Sequence, residues 1–338
     1  MQIQTDVSLK DYSTMRLGGI AHALTTVKSK ADLQEAIAWA EERGLPVLVL
    51  GSGSNVIFSD GYKGLVIINR IPGFDVLHDD ESSTIIHIGA GENWDHVVSH
   101  TVDMNLHGIE FLSAIPGTAG ATPVQNVGAY GAQISDVFVK LEAYDMQTHT
   151  FTTLNKDACH FSYRNSMFKP PLNRHYIITS ITLRLTKEIP KPPFYTSLQQ
   201  YLDEHNIANY TPQTIRQAVV AIRAVKLPDP SLIANTGSFF KNPIIPAKQA
   251  AELLANHPNI AHWDMPDGRV KLAAGGLIEQ AGLKGYHAHG MKTYEQHALV
   301  LINENAKTYS DLAAFREEIV DKVHSTFGVT LKQEPELL

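Results

Sequence analysis

Pro116 to Gly131 reads PGTAGATPVQNVGAYG. It holds four glycines in sixteen residues, small or hydroxylated neighbours, two side-chain amides at Gln125 and Asn126, and no acid or base. Glycine at this density disfavours helix and strand, because each glycine loses the most backbone freedom on ordering. The stretch offers close approach instead. Backbone N–H groups and small hydroxyls are left to bind a flat or phosphorylated ligand. It reads as half of a cofactor cradle; an ordinary glycine-rich turn is the competing reading of this stretch taken alone.

A second glycine-rich loop lies upstream. Leu45 to Leu50, LPVLVL, reads as a short buried strand, and it runs into Gly51–Phe58, GSGSNVIF. No Gly-Lys-Ser/Thr follows, so this is not a phosphate-binding Walker loop. Val56 stands where a dinucleotide fingerprint needs its third glycine, and a strand-like run follows where that fingerprint needs a helix. What remains is strand, loop, strand, with backbone donors plus Ser52, Ser54 and Asn55. Such a loop can hold a diphosphate without a helix dipole; a hairpin turn is the alternative.

Around these loops the pattern alternates between short strands and short helices. Ser29 followed by Asp32 signals a helix start. Leu33, Ala36, Ile37 and Ala40 share one face of that helix, and Gly44 stops it. Strands are expected at residues 64–70, 85–90, 137–144 and 177–185, with a helix over residues 91–104 carrying Trp94, Val97, Val98 and Thr101 on one face. Residues 187–212 hold four prolines and two polar stretches, and read as a long loop with a short helix crossing between domains. Residues 213–226 form a helix that stops at LPDP. Beyond it come NTGSFFKNP (residues 235–243), helices at residues 247–255 and 310–327, a strand-and-helix piece at residues 272–285, a strand at residues 298–302 and a final strand, VTLKQEPELL.

The 338 residues are too many for one ordinary domain, and 43% hydrophobic with 19% charged residues is a globular composition. Cys159 is the only cysteine, which excludes an intrachain disulfide and a cysteine-based zinc site. The N-terminus has no apolar signal region and no run reaches membrane-spanning length, so a cytoplasmic protein is expected. A net charge of −7 argues against nucleic acid as a partner. Residues 211–300 nevertheless carry nine Lys/Arg against six Asp/Glu, a balance suited to an anionic small molecule. None of the sixteen histidines falls in a metal-ligand spacing, so no metal is expected. Ser238 has no neighbouring His or acid and lacks the elbow pattern of serine hydrolases.

Taken in order, STMRLGG, GSGSNVIF, IPGTAGATPVQNVGAYG, FSYRNSMFK, KLPDP, NTGSFFKNP, KLAAGGLIEQAGLKG, HALVLIN and the late EPE resemble one family along nearly the whole chain. This is the UDP-N-acetylenolpyruvoylglucosamine reductases, FAD-dependent enzymes of bacterial cell-wall precursor synthesis. The loop around Tyr195 resembles the first subtype of that family. The resemblance implies an α+β fold: a two-part FAD-binding region of the PCMH/VAO-like type plus a third, substrate-binding domain. It divides the chain into residues 1–70, residues 71–210 with 328–338, and residues 211–327. It implies non-covalent FAD bound by Gly51, Ser52, Gly53, Ser54, Asn55, Val56, Pro116, Gly117, Thr118, Gly120, Ala121, Gln125, Asn126, Gly128, Tyr130, Gly131 and Arg223. Arg164, Ser238 and Glu336 match the catalytic trio. Tyr195, Lys226, Asn242 and His297 match residues that meet the substrate diphosphate. The family usually continues for several residues past EPE, with an arginine near the flavin; this sequence stops at Leu338, and that contact is not carried over.

The reaction so implied is reduction by NADPH of the enolpyruvyl ether of a UDP-sugar to UDP-N-acetylmuramate, by a monomer. Hydride addition pushes electrons toward the substrate carboxylate, where the planar, permanent cation of Arg164 is suited to meet them. Ser238 would then protonate the α-carbon. Glu336 either polarises the carboxylate as the protonated acid or orients another group. Lys226 suits a diphosphate. Two competitors are another FAD oxidoreductase of this fold acting on an alcohol or hydroxy acid, and a nucleotide-sugar-binding protein without catalysis. NTGSFFKNP and the KLPDP lysine speak against the first; retention of the trio, together with bound flavin, would speak against the second.

Overall fold

In the computed structural model, which describes residues 1–338, the Ser29 signal works as read. Ser29 Oγ accepts the N–H of Asp32 and caps α1 (Lys30–Glu41), whose Leu33, Ala36, Ile37 and Ala40 are all buried. They pack on a sheet ordered Ile3–Ser8, Ile20–Val27, Tyr62–Asn69, Val47–Leu50, with Tyr62–Asn69 parallel to both Ile20–Val27 and Val47–Leu50. A second sheet, antiparallel throughout, runs Thr150–Asn155, Phe138–Asp145, Tyr176–Thr186, Ser83–Gly89, Phe74–Asp79. It is covered by α2 (Trp94–Asp103), which Asn93 caps, and by the cradle segment; α3 (Ile134–Val137) is a single turn behind the cradle. Phe74–Asp79 and Thr150–Asn155 are edge strands the alternation did not mark. Phe74–Asp79 is exposed at nearly every position, so it has no apolar face to leave a period of two.

Two compact units divide the chain. The first is residues 1–7, 21–52 and 62–224; the second is residues 8–20, 53–61 and 225–338. This differs from the division expected from sequence. Residues 187–212 hold the short helix expected there but do not cross between units, since residues 62–224 all lie in the first. They contain α4 (Thr196–Glu204), whose buried Leu198 and Leu202 pack against Ile215, Ala218, Val219 and Ile222 of α5 (Pro212–Lys226). Since α4 covers its apolar face, α5 up to Ala224 belongs with the first unit, not with a third domain starting at residue 211.

The second unit has its own core. Phe239, Phe240, Leu272, Leu277, Phe315 and Ile319 are fully or almost fully buried in it, and so are Met15, Leu17 and Ile57 from the two early segments. Its main sheet runs Asn235–Ser238, Val300–Asn303, Met291–Thr293, His287–Ala288, all antiparallel, beside a three-stranded sheet of Ile244–Pro246, Arg269–Leu272 and His262–Asp264. Three helices complete it: α6 (Ala247–Asn256), α7 (Ala274–Gln280) and α8 (Tyr309–Phe327), the last opened by a Thr308–Asp311 capping box and closed by Gly328 at φ 65°. The expected final strand is two. Lys332–Gln333 pairs antiparallel with Phe240–Lys241, and Glu336–Leu337 pairs parallel with Val56–Ile57. Pro335 sits between them and cannot donate to a ladder. GSGSNVIF is therefore strand, loop, strand as read, and no hairpin: its second strand pairs with the chain's end.

Candidate active site

In the first unit the two glycine loops touch. A Cβ built on Gly51 would lie 2.4 Å from Thr118 Oγ1, and one on Gly120 would lie 2.5 Å from Ala90 Cβ. At Gly120 the Ala90 backbone lies close behind, at 3.0 Å, so glycine is needed for the approach; at Gly51 the neighbour is the Thr118 side chain. Arg70, half-buried at the end of a strand, donates from Nη1 to the Gly51 carbonyl at 3.0 Å and fixes the loop from behind. The N–H of Ala119 donates to the Glu92 carbonyl and that of Gly120 to the Ala90 carbonyl, each at 2.9 Å. Ser52 Oγ is buried and has no protein partner, an orphan of the kind a ligand oxygen would satisfy. Arg70, Glu92 and Ala90 were not marked by the sequence, because each lies at the end of an otherwise ordinary strand or turn.

The later half of the cradle is tied to FSYRNSMFK. Ser162 and Asn165 exchange both backbone hydrogen bonds at 3.1 Å, which makes a tight turn with Arg164 in the left-handed region at φ 52°. Arg164 Nη2 donates to the Gly128 carbonyl at 2.7 Å, and Ser166 Oγ donates to the Val124 carbonyl at 2.6 Å. Asn126 is buried at φ 47°. Its Nδ2 donates to Gln133 Oε1 and the Ser162 carbonyl, and its Oδ1 accepts from the Ser135 N–H. The amide expected to bind a ligand therefore holds the cradle's own shape.

Tyr130, also left-handed at φ 50°, meets Tyr195 edge-on with ring centroids 6.0 Å apart. Burial raises the pKa of both phenols, and Arg223 beside Tyr130 opposes that rise there. Burial also pulls the Arg223 guanidinium below its ordinary value, against the pull of Tyr130 and Asp95; it remains a cation at neutral pH.

The second unit holds Gly53, Ser54, Asn55, Val56, Lys226, Ser238, Asn242, His297 and Glu336. A bulge between Asn235 and Ser238 sets three residue steps against two on Val300–Asn303. At the bulge Gly237 takes φ 71°, and its N–H donates to Asn235 Oδ1 at 2.8 Å. Bulges of this kind re-aim a side chain, here that of Ser238, which is half-buried while Phe239 and Phe240 anchor the strand beneath it. The Glu336 N–H donates to the Asn55 carbonyl at 2.9 Å, and the Glu334 N–H to the Phe239 carbonyl at 2.8 Å. The chain's end is thus stitched both to GSGSNVIF and to NTGSFFKNP.

Asn242 Oδ1 accepts the Ala274 N–H at the start of α7. His297 Nδ1 is buried without a protein partner. Burial first, and the charge of Lys226 second, lower the His297 pKa below its ordinary value, so the ring is neutral at pH 7. Thr236 Oγ1 and Asn303 Oδ1 are two further buried orphans of this unit that the sequence did not mark.

Glycine loops with no room for a Cβ at Gly120, a buried unpartnered hydroxyl at Ser52 and a buried guanidinium, Arg223, beside Tyr130 fit the phosphates and flat ring of a flavin nucleotide. Residues 21–153 match the family model of the FAD binding domain, and the fold mixes α-helices and β-sheets in both units. This defines a flavoprotein oxidoreductase. Residues 229–338 match the C-terminal domain of UDP-N-acetylenolpyruvoylglucosamine reductase. The enzyme of that name from Pseudomonas aeruginosa is 40% identical over 337 residues, covering 100% of this chain and 99% of its own. The one from Escherichia coli O6:H1 is 39% identical over 327 residues, 97% and 94% of the two chains. The crystal structure of the Thermus caldophilus enzyme shares the fold with a TM-score of 0.69 at 23% identity, covering 100% of this chain and 99% of its own. The chain belongs to the UDP-N-acetylenolpyruvoylglucosamine reductase family.

Proposed function

We propose that this protein uses NADPH and FAD to reduce UDP-N-acetylglucosamine enolpyruvate to UDP-N-acetylmuramate in peptidoglycan precursor synthesis. The observation that carries the reading is full-length family membership combined with the cradle geometry at Gly51, Thr118 and Gly120. FAD, when bound, would supply the hydride chemistry between NADPH and the enolpyruvyl β-carbon. The protein supplies position, charge and a proton.

Ser52 and the N–H groups of the two loops would hold the FAD phosphates, with Arg223 and Tyr130 beside the cradle. Arg164, already fixed by its bond to the Gly128 carbonyl, offers its cation to the charge that develops on the substrate carboxylate. Ser238, aimed by the bulge at Gly237, gives its proton to the α-carbon. Glu336 is held at a fixed place beside Val56 to assist that transfer or to polarise the carboxylate. Lys226 and neutral His297 offer a cation and a hydrogen bond to the diphosphate, with Asn242 and Tyr195 as further contacts. The assignment also proposes two flavin-binding subdomains that meet near residue 70, a monomer, and a cytoplasmic setting. No helix is long and apolar enough to cross a membrane.

The purified protein is expected to be yellow, and to sustain repeated turnover of NADPH only when the enolpyruvyl UDP-sugar is added to reoxidise the flavin. Acid precipitation should leave all the flavin in the supernatant, since the cradle contains no His or Cys to bind it covalently. A colourless protein that FAD cannot reconstitute would overturn the reading.

A further inference from the structure

Ala114 lies two residues before the cradle and has φ 55°. For a residue with a Cβ this conformation is disfavoured by about tenfold in population. The structure surrounds that one residue with charge. Its N–H donates to Asp95 Oδ1 at 2.6 Å, and its carbonyl accepts from Arg223 Nε at 3.3 Å. Asp95, in the first turn of α2, receives Arg216 as a fork: Nη1 to Oδ1 at 2.6 Å and Nη2 to Oδ2 at 2.9 Å. Arg216 and Arg223 are two turns apart on α5, so one helix reaches both sides of Ala114. Trp94 pins the flanks of the same segment. Its N–H donates to the Gly117 carbonyl at 3.1 Å, and its Nε1 to the Leu112 carbonyl at 3.0 Å.

We infer that Arg216 is a positioning residue for the flavin: acting through Asp95, it holds Ala114 left-handed and so sets the direction in which the cradle leaves α2. The inference rests on the reading of Pro116–Gly131 as the flavin cradle. Arg216 is not part of that cradle. Its effect passes through one carboxylate to one peptide group. The fork matters because two parallel N–H···O bonds fix the carboxylate plane, which a single point charge does not. Without Arg216, Asp95 is free to rotate, Ala114 relaxes toward negative φ, and the segment after it swings with the change.

The test is flavin release from diluted holoenzyme, read as the rise of free-FAD fluorescence, for wild type, Arg216→Gln, Arg216→Lys, Ala114→Gly and the double variant Arg216→Gln/Ala114→Gly. Arg216→Gln is expected to weaken FAD binding about tenfold, with Arg216→Lys between it and wild type. Ala114→Gly alone stays near wild type. The double variant recovers to within about threefold of wild type, because glycine takes positive φ without help. Wild-type affinity in Arg216→Gln overturns the inference. So does a tenfold loss that persists in the double variant, since Arg216 would then only join α5 to α2. If Arg216→Gln fails to fold, Asp95→Asn, with and without Ala114→Gly, makes the same comparison at nearly constant volume. A wild-type protein that releases no FAD because it binds none is a separate result: it overturns the flavin reading itself.

Discussion

Glu336 and Val56 lie side by side in a parallel pair of two-residue strands, and the N–H of Glu336 is bonded to the carbonyl of Asn55 at 2.9 Å. The backbone bond of Glu336 does not depend on its carboxylate, so the two can be tested separately. Glu336→Gln keeps every backbone bond, so it should leave Tm within about 2 °C of wild type and flavin content unchanged. Turnover should fall by at least about 10²-fold if the carboxyl moves or directs a proton. Deleting residues 336–338 should lower both Tm and flavin content. Equal loss of stability in the two variants would assign the carboxylate a structural role only.

Ser238→Ala separates the two half-reactions. The bulge is built from Gly237 and Asn235, so alanine should not disturb it. Flavin reduction by NADPH should proceed at the wild-type rate, while reoxidation by the enolpyruvyl substrate falls by about 10²–10⁴-fold. Ser238→Cys should retain more activity than alanine, because a thiol can also donate. Equal slowing of both half-reactions in stopped-flow traces would reject the proton-donor role.

Lys226→Ala should raise KM for the UDP-sugar far more than it lowers kcat, because contacts to a diphosphate remote from the reacting carbons contribute mainly uniform binding. The same substitution should raise the pKa of His297, since the charge of Lys226 is, after burial, the larger of the causes that lower it. NMR of the His297 ring proton measures that shift directly.

His297 gives a pH dependence whose sign is fixed. Its folded pKa lies below the ordinary value of 6.5, so the unfolded chain binds this proton more readily than the folded one. Its contribution to stability is therefore present above about pH 6.5 and is lost as pH falls through the folded pKa. Unfolding curves from pH 8 to pH 5 should be less pH-dependent for His297→Gln than for wild type. An unchanged slope would mean that the ring protonates without cost.

Gly120→Ala should be damaging at a position with no catalytic group. The new methyl would sit 2.5 Å from Ala90 Cβ, so one of the two backbones must move. Overpacking of this kind costs about 1–3 kcal/mol. Because the displaced backbone is the cradle, FAD affinity should fall along with Tm; a Tm loss at full FAD affinity would place Gly120 outside the cradle.

Much of this arrangement was readable from local chemistry. The cap at Ser29, the apolar faces of α1 and α2 and the glycine density of both loops each follow from residues close together in sequence. The rest depends on partners far away. Nothing near Asp95 or Arg216 predicts that they fork together beside Ala114. Asn126 reads as a ligand amide until Ser162 and Ser135 are seen to occupy it. The short helix within residues 187–212 was readable, but the four prolines suggested a crossing between domains, because the apolar face of α5 on which α4 packs lies outside the segment. Pro335 splits what alternation alone reads as one closing strand.

Met15, Leu17 and Ile57 are buried in a core whose other members begin at Phe239. At ribosomal speeds of about 5–20 residues per second, roughly ten to forty-five seconds separate the emergence of Met15 from that of Phe239. The first unit can close around its own sheets in that time, while these three apolar side chains wait uncovered. The nascent chain thus carries a sticky, unfinished segment at its beginning until its last residues are made. Holdase binding to residues 8–20 during translation, and aggregation of chains truncated before Phe239, are the expected signatures of this order of assembly.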